Sequence, residues 1–329
     1  MAAALYGPGG FYRANSPGTH FRTSVSASPI LATTLAPLVG AVDLALDSPG
    51  RLDIVDMGAG DGSLLGALLN ALPSDLARRA NPVAVEIRPQ PPELPAQIAW
   101  TEVPPRGVTG LVIAHEYLDN VPCDVAEVAA GGFLQQILVN PETGAEKLGS
   151  VLDHQQSKWI SHWWPIDEPG DRAEIGSSRD QAWAQIVGGL DRGLAIGVDY
   201  GHQLDERTSG VFPAGTLAGY RDGRQVVPVP DGSCDITAHV AVDACQQAGA
   251  ESGADVSALV TQSDALRALG LDARRPPLDL AHSDPQGYVE LLSHASLAAE
   301  LLDPASLGSF LWLLQAKGCR PMIDGINWS

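Results

Sequence analysis

The sequence predicts an α/β protein with a Rossmann-like sheet of mostly parallel strands and helices on both faces. Short apolar runs that end near an acid or a histidine recur at 52–57, 82–87 and 110–115, and leucines at helical spacing follow the first of them. A glycine-rich turn at 56–62, with the sequence Asp-Met-Gly-Ala-Gly-Asp-Gly, stands between that first run and its helix. This alternation is typical of βαβ units.

A helical lead-in precedes the sheet. The chain opens on a loop rich in Gly, Pro and aromatic residues, and residues 29–46 are rich in Ala and Leu, as in an amphipathic helix. The sequence Asp-Ser-Pro-Gly at 47–50 then ends the helix. We therefore interpret 1–50 as a lead-in that contributes to the active site, and 51–329 as the catalytic domain.

Later segments predict an insertion and a lid. Residues 125–150 alternate apolar and polar side chains around paired glycines, as in a β-hairpin, and we interpret 124–190 as an insertion. Residues 193–199 predict the next core strand. Residues 215–235 form a polar stretch too rich in Gly and Pro for regular structure, and loops of this length often close over a site.

The end of the chain completes the predicted sheet. Residues 254–260 are apolar, helical segments extend to about residue 302, and residues 310–317 predict a last strand. We expect this last strand to be reversed and to lie at the edge of the sheet.

Composition and charge exclude several partners. Hydrophobic residues make up 45% and charged residues 18% of the 329 residues, as in globular proteins. The 20 Lys and Arg stand against 39 Asp and Glu, and the net charge of −19 opposes nucleic-acid binding. No apolar run suits a membrane helix and the start lacks a signal-peptide pattern, so we expect a cytoplasmic protein. The four cysteines form no CxxC pair, and no metal site is expected.

The glycine turn predicts a nucleotide-like ligand. Glycines at this turn let backbone N–H groups approach an anionic group at the start of a helix, which is a pyrophosphate in NAD enzymes and the carboxylate of S-adenosylmethionine (SAM) in methyltransferases. The spacing GxGxG and the acid before it favour SAM, whose ammonium that acid can meet. An acid after the second run suits ribose hydroxyls in both classes. The predicted donor-binding residues are Asp56, Gly58, Gly60, Asp61, Gly62 and Glu86.

A set of sequence blocks resembles the MidA-like SAM-dependent methyltransferases, relatives of a mitochondrial complex I assembly factor. The blocks occur in the order of that family, from residue 6 to about 243. They are Phe-Tyr at 11–12, Phe-Arg-Thr-Ser at 21–24, His-Glu-Tyr-Leu-Asp-Asn-Val-Pro at 115–122, Asp-Tyr-Gly at 199–201, Gly-Thr-Leu-Ala-Gly-Tyr at 215–220 and Asp-Ile-Thr-Ala-His-Val at 235–240. His115 stands where the family usually has Asn.

The resemblance implies a SAM-dependent protein methyltransferase, with arginine as the leading acceptor. Glu116 and Asp119 follow the strand at 110–115, at the carboxyl edge where ligands of open α/β sheets bind, and we predict that they hold the acceptor. A structural alternative is that Glu116 only caps a helix that starts at Tyr117 and that Asp119 is solvated. The resemblance also places Thr23 and Ser24 at the cofactor.

Other residues of these blocks could line the acceptor site or its lid, or could be structural: Asp199, Tyr200, His202, Thr216 and His239. Three further functions stay open at this point. An NAD(P)-dependent oxidoreductase would share the turn and the ribose acid, a scaffold could bind SAM without turnover, and a methyltransferase could act on a small molecule. The oligomeric state is open as well.

Overall fold

The computed structural model describes residues 1–14 and 28–329. The helices are α1 (Ala2–Tyr6), α2 (Phe11–Ala14), α3 (Ser28–Ala45), α4 (Ser63–Ala71), α5 (Ser74–Arg79), α6 (His154–Trp163), α7 (Ser177–Gly189), α8 (Leu204–Thr208), α9 (Val242–Glu251), α10 (Gln262–Ala268), α11 (Leu278–Ser283) and α12 (Pro285–Leu302). The strands are β1 (Leu52–Met57), β2 (Ala80–Val85), β3 (Ala99–Thr101), β4 (Val108–His115), β5 (Asp124–Val128), β6 (Leu134–Val139), β7 (Glu146–Val151), β8 (Arg172–Ile175), β9 (Leu190–Asp199), β10 (Gly201–His202), β11 (Ala218–Arg221), β12 (Arg224–Val226), β13 (Asp235–Thr237), β14 (Val240–Ala241), β15 (Val256–Thr261) and β16 (Leu311–Lys317). Among the helices so described, none is both long and apolar enough to span a bilayer.

The chain divides into two compact units. We call the first the sheet unit; its described residues are 28–115, 189–198 and 254–329. We call the second the insert unit; its described residues are 1–14, 116–188 and 199–253.

The sheet unit contains a seven-stranded sheet in the order β15-β16-β9-β4-β1-β2-β3. Strands β1, β2, β3, β4 and β9 are parallel to their neighbours within this group. Asp56 of β1 pairs with Ile113 of β4, and Met57 pairs with Ala114, so these two strands end at the same edge. The α/β fold class predicted from the sequence is confirmed, and the glycine turn lies at the carboxyl edge of the sheet.

The core of the sheet unit follows from its apolar periodicity. Leu31, Leu35 and Leu38 of α3 are buried, as are Leu65 and Leu68 of α4, and these side chains belong to one cluster with the sheet residues. Each buried side chain of this type contributes about 1.5–3 kcal/mol relative to exposure. The predicted amphipathic lead-in helix is thus a layer of the core.

The last strand does not lie where the sequence predicts it. Strand β16 is antiparallel to β15, but it lies between β15 and β9, and β15 is the edge strand. The residues from Trp312 to Ala316 are all buried. A strand that is buried along its whole length requires neighbours on both sides and layers on both faces, which an edge position does not supply.

The insert unit contains a four-stranded antiparallel sheet in the order β7-β6-β5-β8, which includes the predicted hairpin. Helix α6 begins with a capping box in which the Asp153 carboxylate accepts from Gln156 N and the Gln156 side chain accepts from Asp153 N. Trp159 and Trp164 are buried in a cluster with the sheet. Core packing therefore explains these tryptophans.

The segment at 215–235 is more regular than its composition predicts. It contains the hairpin β11–β12, and β11 also pairs with β13. The buried carboxylate of Glu174 fixes its start, since it accepts from Thr216 N at 2.9 and 3.1 Å, from Thr216 Oγ1 at 2.9 Å and from Leu217 N at 3.1 Å. Such long-range anchoring overrides the low strand propensity of Gly and Pro.

The first fourteen residues pack within the insert unit. Leu5 of α1 and Phe11 of α2 are buried in one cluster with Cys234 and Ile236. The predicted lead-in therefore divides, because α1 and α2 belong to the insert unit whereas α3 belongs to the sheet unit.

Candidate active site

The turn after β1 holds three glycines in the left-handed conformation. The φ angles are 68° at Gly58, 64° at Gly60 and 77° at Gly62, a region that costs other residues strain energy. A Cβ atom at Gly62 would lie 2.4 Å from Leu94 Cδ1. Gly62 also caps α4, so the positive end of that helix dipole begins at the turn.

Glu86 extends to this turn from the end of β2. Its Oε2 accepts a hydrogen bond from Gly60 N at 3.0 Å, and its Oε1 accepts from Ile87 N at 2.8 Å and from Arg88 N at 3.0 Å. The carboxylate is therefore fixed in one orientation. The structure thus brings the predicted ribose acid and the predicted glycine turn together.

The turn amides differ from the expectation that they face a ligand. Gly58 N and Ala59 N both donate to Val85 O, at 2.8 and 3.2 Å, and Gly60 N donates to Glu86. The reason is the parallel register, in which Met57 pairs with Val85 and the amides that follow β1 meet the last carbonyl of β2. Because these amides bond within the protein, the carboxylates at the turn are the groups that discriminate between a cationic and an anionic ligand.

Electrostatics at the turn favour a cationic ligand. Asp56 is 3% exposed, and burial, together with the negative charges of Glu86 and Asp61, raises the pKa of Asp56 to about 7. A pyrophosphate would add negative charge to this group of acids, whereas a sulfonium and an ammonium would relieve it. The residues therefore fit the amino-acid end of SAM better than a dinucleotide.

The sequence analysis missed two residues beside Glu86. Arg88 Nη2 lies 3.5 Å from Glu86 Oε2, and Trp100 Nε1 donates to Arg88 O at 2.9 Å. An indole and a guanidinium next to the predicted ribose acid offer surfaces on which a purine can stack. Only the two-residue spacing from Glu86 could have indicated Arg88, and Trp100 lies on a strand of three residues without a recognisable pattern.

Binding of the demethylated product S-adenosylhomocysteine should weaken as the pH falls below 7. Asp56, with a pKa of about 7 in the free protein, must lose its proton to meet the ligand ammonium. Above pH 7 this carboxyl is already ionised, so its deprotonation costs no binding free energy. Below pH 7 the Kd should rise by up to about tenfold per pH unit. Calorimetry from pH 8 to 5 tests this, and Asp56→Asn should flatten the profile. A wild-type affinity that is constant or rises toward pH 5 would contradict it.

In the insert unit, the predicted acceptor residues lie on one turn at 116–120. Glu116 is a non-glycine residue with a φ of 49°, in the left-handed region. Asp199 Oδ2 accepts from Leu118 N at 3.0 Å and from Asp119 N at 3.2 Å. Asn120 Nδ2 donates to Glu116 O at 3.0 Å. The structure therefore brings Glu116, Asp119 and Asp199 together, and no helix starts at Tyr117.

Asp119 is hydrogen-bonded to two of the predicted blocks. Its Oδ2 accepts from Thr237 Oγ1 at 2.9 Å and also from the Tyr200 hydroxyl. The Tyr200 hydroxyl and Thr237 Oγ1 are hydrogen-bonded to each other as well. Residues that are 81 and 118 positions apart from Asp119 in the chain thus share one carboxylate oxygen.

The second carboxylate oxygens of Asp119 and Asp199 are buried. Within the part of the chain that the structure describes, neither Asp119 Oδ1 nor Asp199 Oδ1 has a partner. Burial raises the pKa of Asp119, and burial followed by the charge of Asp119 raises that of Asp199 well above its usual value. The two carboxyl groups therefore do not readily ionise at the same time. A cation bound beside them would lower both pKa values and favour their ionisation.

Arg179 is a buried cation that the sequence analysis missed. Its guanidinium donates to His239 O at 2.7 Å, to Asp119 O at 2.8 Å and to Val121 O at 3.1 Å. It is 2% exposed. It therefore connects the turn at 116–120 to the block at 235–240 through the main chain. No sequence pattern marks an isolated arginine inside α7.

The two predicted histidines and Thr216 lie in the insert unit. His202 is fully buried, and burial followed by the Arg207 charge lowers its pKa to about 3. Burial, more than any neighbouring charge, also lowers the pKa of His239. His239 N donates to Thr216 Oγ1 at 3.0 Å. Both imidazoles are therefore neutral at pH 7.

Two of the remaining predictions concern residues outside the described part of the chain, namely Thr23 and Ser24. His115, which replaces the usual asparagine of the resembled family, is buried at the end of β4, and burial lowers its pKa to about 4. A neutral imidazole thus stands directly before Glu116.

The sheet order, the glycine turn and the acids around it define a SAM-dependent methyltransferase. The family model Methyltransf_28, described as "Putative S-adenosyl-L-methionine-dependent methyltransferase", matches residues 34–260, more than half of the chain. The chain belongs to this family, which the MidA-like blocks of the sequence predict. Comparison with curated proteins gave no match.

Two solved structures from Burkholderia thailandensis are similar along nearly the whole chain. A COG1565 superfamily member bound to S-adenosyl-homocysteine has 25% identity and a TM-score of 0.81, covering 99% of this chain and 90% of that one. A native structure of a COG1565 superfamily protein has 26% identity and a TM-score of 0.80, covering 99% and 89%. SAM is therefore the cosubstrate, and the oxidoreductase alternative is not supported.

Proposed function

We propose that this enzyme transfers the methyl group of SAM to arginine side chains of proteins. The observation that carries the proposal is the group of carboxyls at the turn 116–120. Glu116 and Asp119 lie on this turn, and Asp199 at the end of β9 accepts hydrogen bonds from its amides. Asp119 and Asp199 each keep a buried oxygen without a partner among the described residues. A guanidinium is planar, stays protonated at neutral pH and carries five N–H donors, so it matches carboxylate oxygens.

The position of these acids along the chain supports the same proposal. His115 of β4 pairs in register with Val198 of β9. Glu116 directly follows β4 and Asp199 is the last residue of β9, so both stand at the carboxyl edge of these two strands. Ligands of open α/β sheets bind at this edge.

The donor residues have separate tasks in this proposal. Asp56 would accept a hydrogen bond from the ammonium of SAM, and Glu86, held by Gly60 N and Arg88 N, would accept from the ribose hydroxyls. SAM supplies a methyl carbon made electrophilic by the neighbouring sulfonium. The chain therefore needs only to orient this carbon and the acceptor.

Atoms and electrons balance in this methyl transfer without a further reactant. A guanidino nitrogen forms the new bond to the methyl carbon, and the carbon–sulfur bond breaks with its electron pair returning to sulfur. The methylated nitrogen then loses a proton. Glu116 would hold the guanidinium through paired hydrogen bonds and favour the resonance form with electron density on the attacking nitrogen, and a carboxylate or water takes the proton.

A labelling experiment tests the acceptor class. Purified protein is incubated with SAM that carries a trideuterated methyl group and with an arginine-containing peptide library, and mass spectrometry then locates the label. We expect label on arginine and none on matched peptides with lysine in its place. Label on another residue type, or on a small molecule added from a cell extract, would refute the arginine proposal. Donor binding without any transfer would support a scaffold instead.

A further inference from the structure

The left-handed conformation of Glu116 needs an explanation beyond the sequence of the turn. A long side chain rarely adopts a φ of 49°, and such a residue persists only where its surroundings over-determine the backbone. Three hydrogen bonds do this here. Two run from Leu118 N and Asp119 N to Asp199 Oδ2, and one runs from Asn120 Nδ2 to Glu116 O at 3.0 Å.

The last of these bonds depends on α1 and α2. The Tyr12 hydroxyl donates to Asn120 Oδ1 at 2.5 Å, and the Tyr6 hydroxyl donates to Asn120 O at 2.8 Å. The carbonyl of Glu116 can only accept, so the nitrogen of the Asn120 amide faces it and the amide oxygen faces the Tyr12 hydroxyl, whose proton stabilises this orientation. Asp235 Oδ1 lies 2.9 Å from the same hydroxyl as a second acceptor, so the single Tyr12 proton is shared between the two oxygens, with the shorter distance to Asn120.

We propose that Asn120, oriented by Tyr12, is a positioning residue that sets the backbone of Glu116 for methyl transfer. The inference rests on the proposed role of Glu116 in holding the acceptor. Neither Asn120 nor Tyr12 needs to touch either substrate. Both act through Glu116, because Asn120 bonds to the carbonyl of the strained residue itself.

Two substitutions test the arrangement with little loss of packing. Asn120→Ala removes the amide, and Tyr12→Phe removes only the hydroxyl that orients it. We expect faster amide hydrogen exchange in residues 117–120 of both variants. With the arginine peptide that is labelled best by the wild type, we expect kcat to fall by about tenfold to a hundredfold, as for a misplaced catalytic group, with an unchanged Kd for S-adenosylhomocysteine. Tyr288→Phe on α12 is the matched control.

A double-mutant cycle separates positioning from general damage. In a Glu116→Gln background, Asn120→Ala should have almost no further effect on kcat, because the group it positions is already lost. An equal loss in both backgrounds would overturn the inference, as would unchanged exchange at 117–120. If Glu116→Gln alone lowers kcat but Asn120→Ala does not, only the positioning inference fails. If Glu116→Gln keeps full activity, the proposed role of Glu116 fails, and the inference fails with it.

Discussion

Replacement of Arg179 by methionine is expected to lower the free energy of unfolding by about 3–5 kcal/mol, as when one partner of a buried ionic group is removed. The guanidinium donates to three main-chain carbonyls, those of Asp119, Val121 and His239, and its bond to Asp119 O is fully buried. Methionine fills part of the volume but donates no hydrogen bond. It also removes a positive charge that offsets part of the rise that burial causes in the pKa of Asp119 and Glu174.

Urea unfolding followed by tryptophan fluorescence measures this loss. Arg78→Met on α5 makes the same exchange at an exposed helix position, where about 0.5 kcal/mol or less is expected. Arg179→Lys should lose nearly as much as Arg179→Met, because one ammonium cannot reproduce a planar fork that reaches three carbonyls. A midpoint for Arg179→Met that matches the Arg78→Met control would show that the buried guanidinium contributes little to stability.

Local sequence predicts the donor turn well because its requirements are local. Gly58, Gly60 and Gly62 occupy left-handed positions that other residues avoid, and Glu86 directly follows β2, the parallel neighbour of β1. Any fold that pairs β1 with β2 therefore brings Glu86 to the turn. The family resemblance predicts the remaining sequence blocks. Tyr200 and Thr237 belong to two of these blocks, and the structure joins both by hydrogen bonds to Asp119 of a third block.

The parts that the sequence did not predict depend on contacts between distant segments. Arg179 lies about 60 residues from each carbonyl it binds, and nothing in its own helix indicates those partners. Strands β11 and β12 form in a Gly- and Pro-rich segment, since Glu174 fixes the preceding residues from 42 positions away. The contact of Tyr12 with Asn120 spans 108 positions. Periodicity and spacing contain no information at such separations.

Glu116→Gln should lower the methylation rate of an arginine peptide by about 10²-fold or more, as when an electrostatic contact that is strongest in the transition state is lost. Glutamine keeps the size of the side chain and one hydrogen-bond acceptor. It loses the negative charge that orients the guanidinium and favours the attack of its nitrogen. Single-turnover mass spectrometry with trideuterated SAM measures the rate directly.

The affinity for S-adenosylhomocysteine distinguishes a role at the acceptor from one at the donor. Glu116 follows β4, whereas the predicted donor acids Asp56 and Glu86 lie in β1 and directly after β2. The Kd of the Glu116→Gln variant for this product should therefore stay within about twofold of the wild type, a difference of less than 0.5 kcal/mol. Glu168→Gln, at an exposed position of the insert unit, should leave both quantities unchanged. If the Glu116→Gln protein no longer binds S-adenosylhomocysteine, the residue belongs to the donor site. A variant with full activity would remove the charge of Glu116 from the mechanism, and the acceptor would then be held by Asp119 and Asp199 alone.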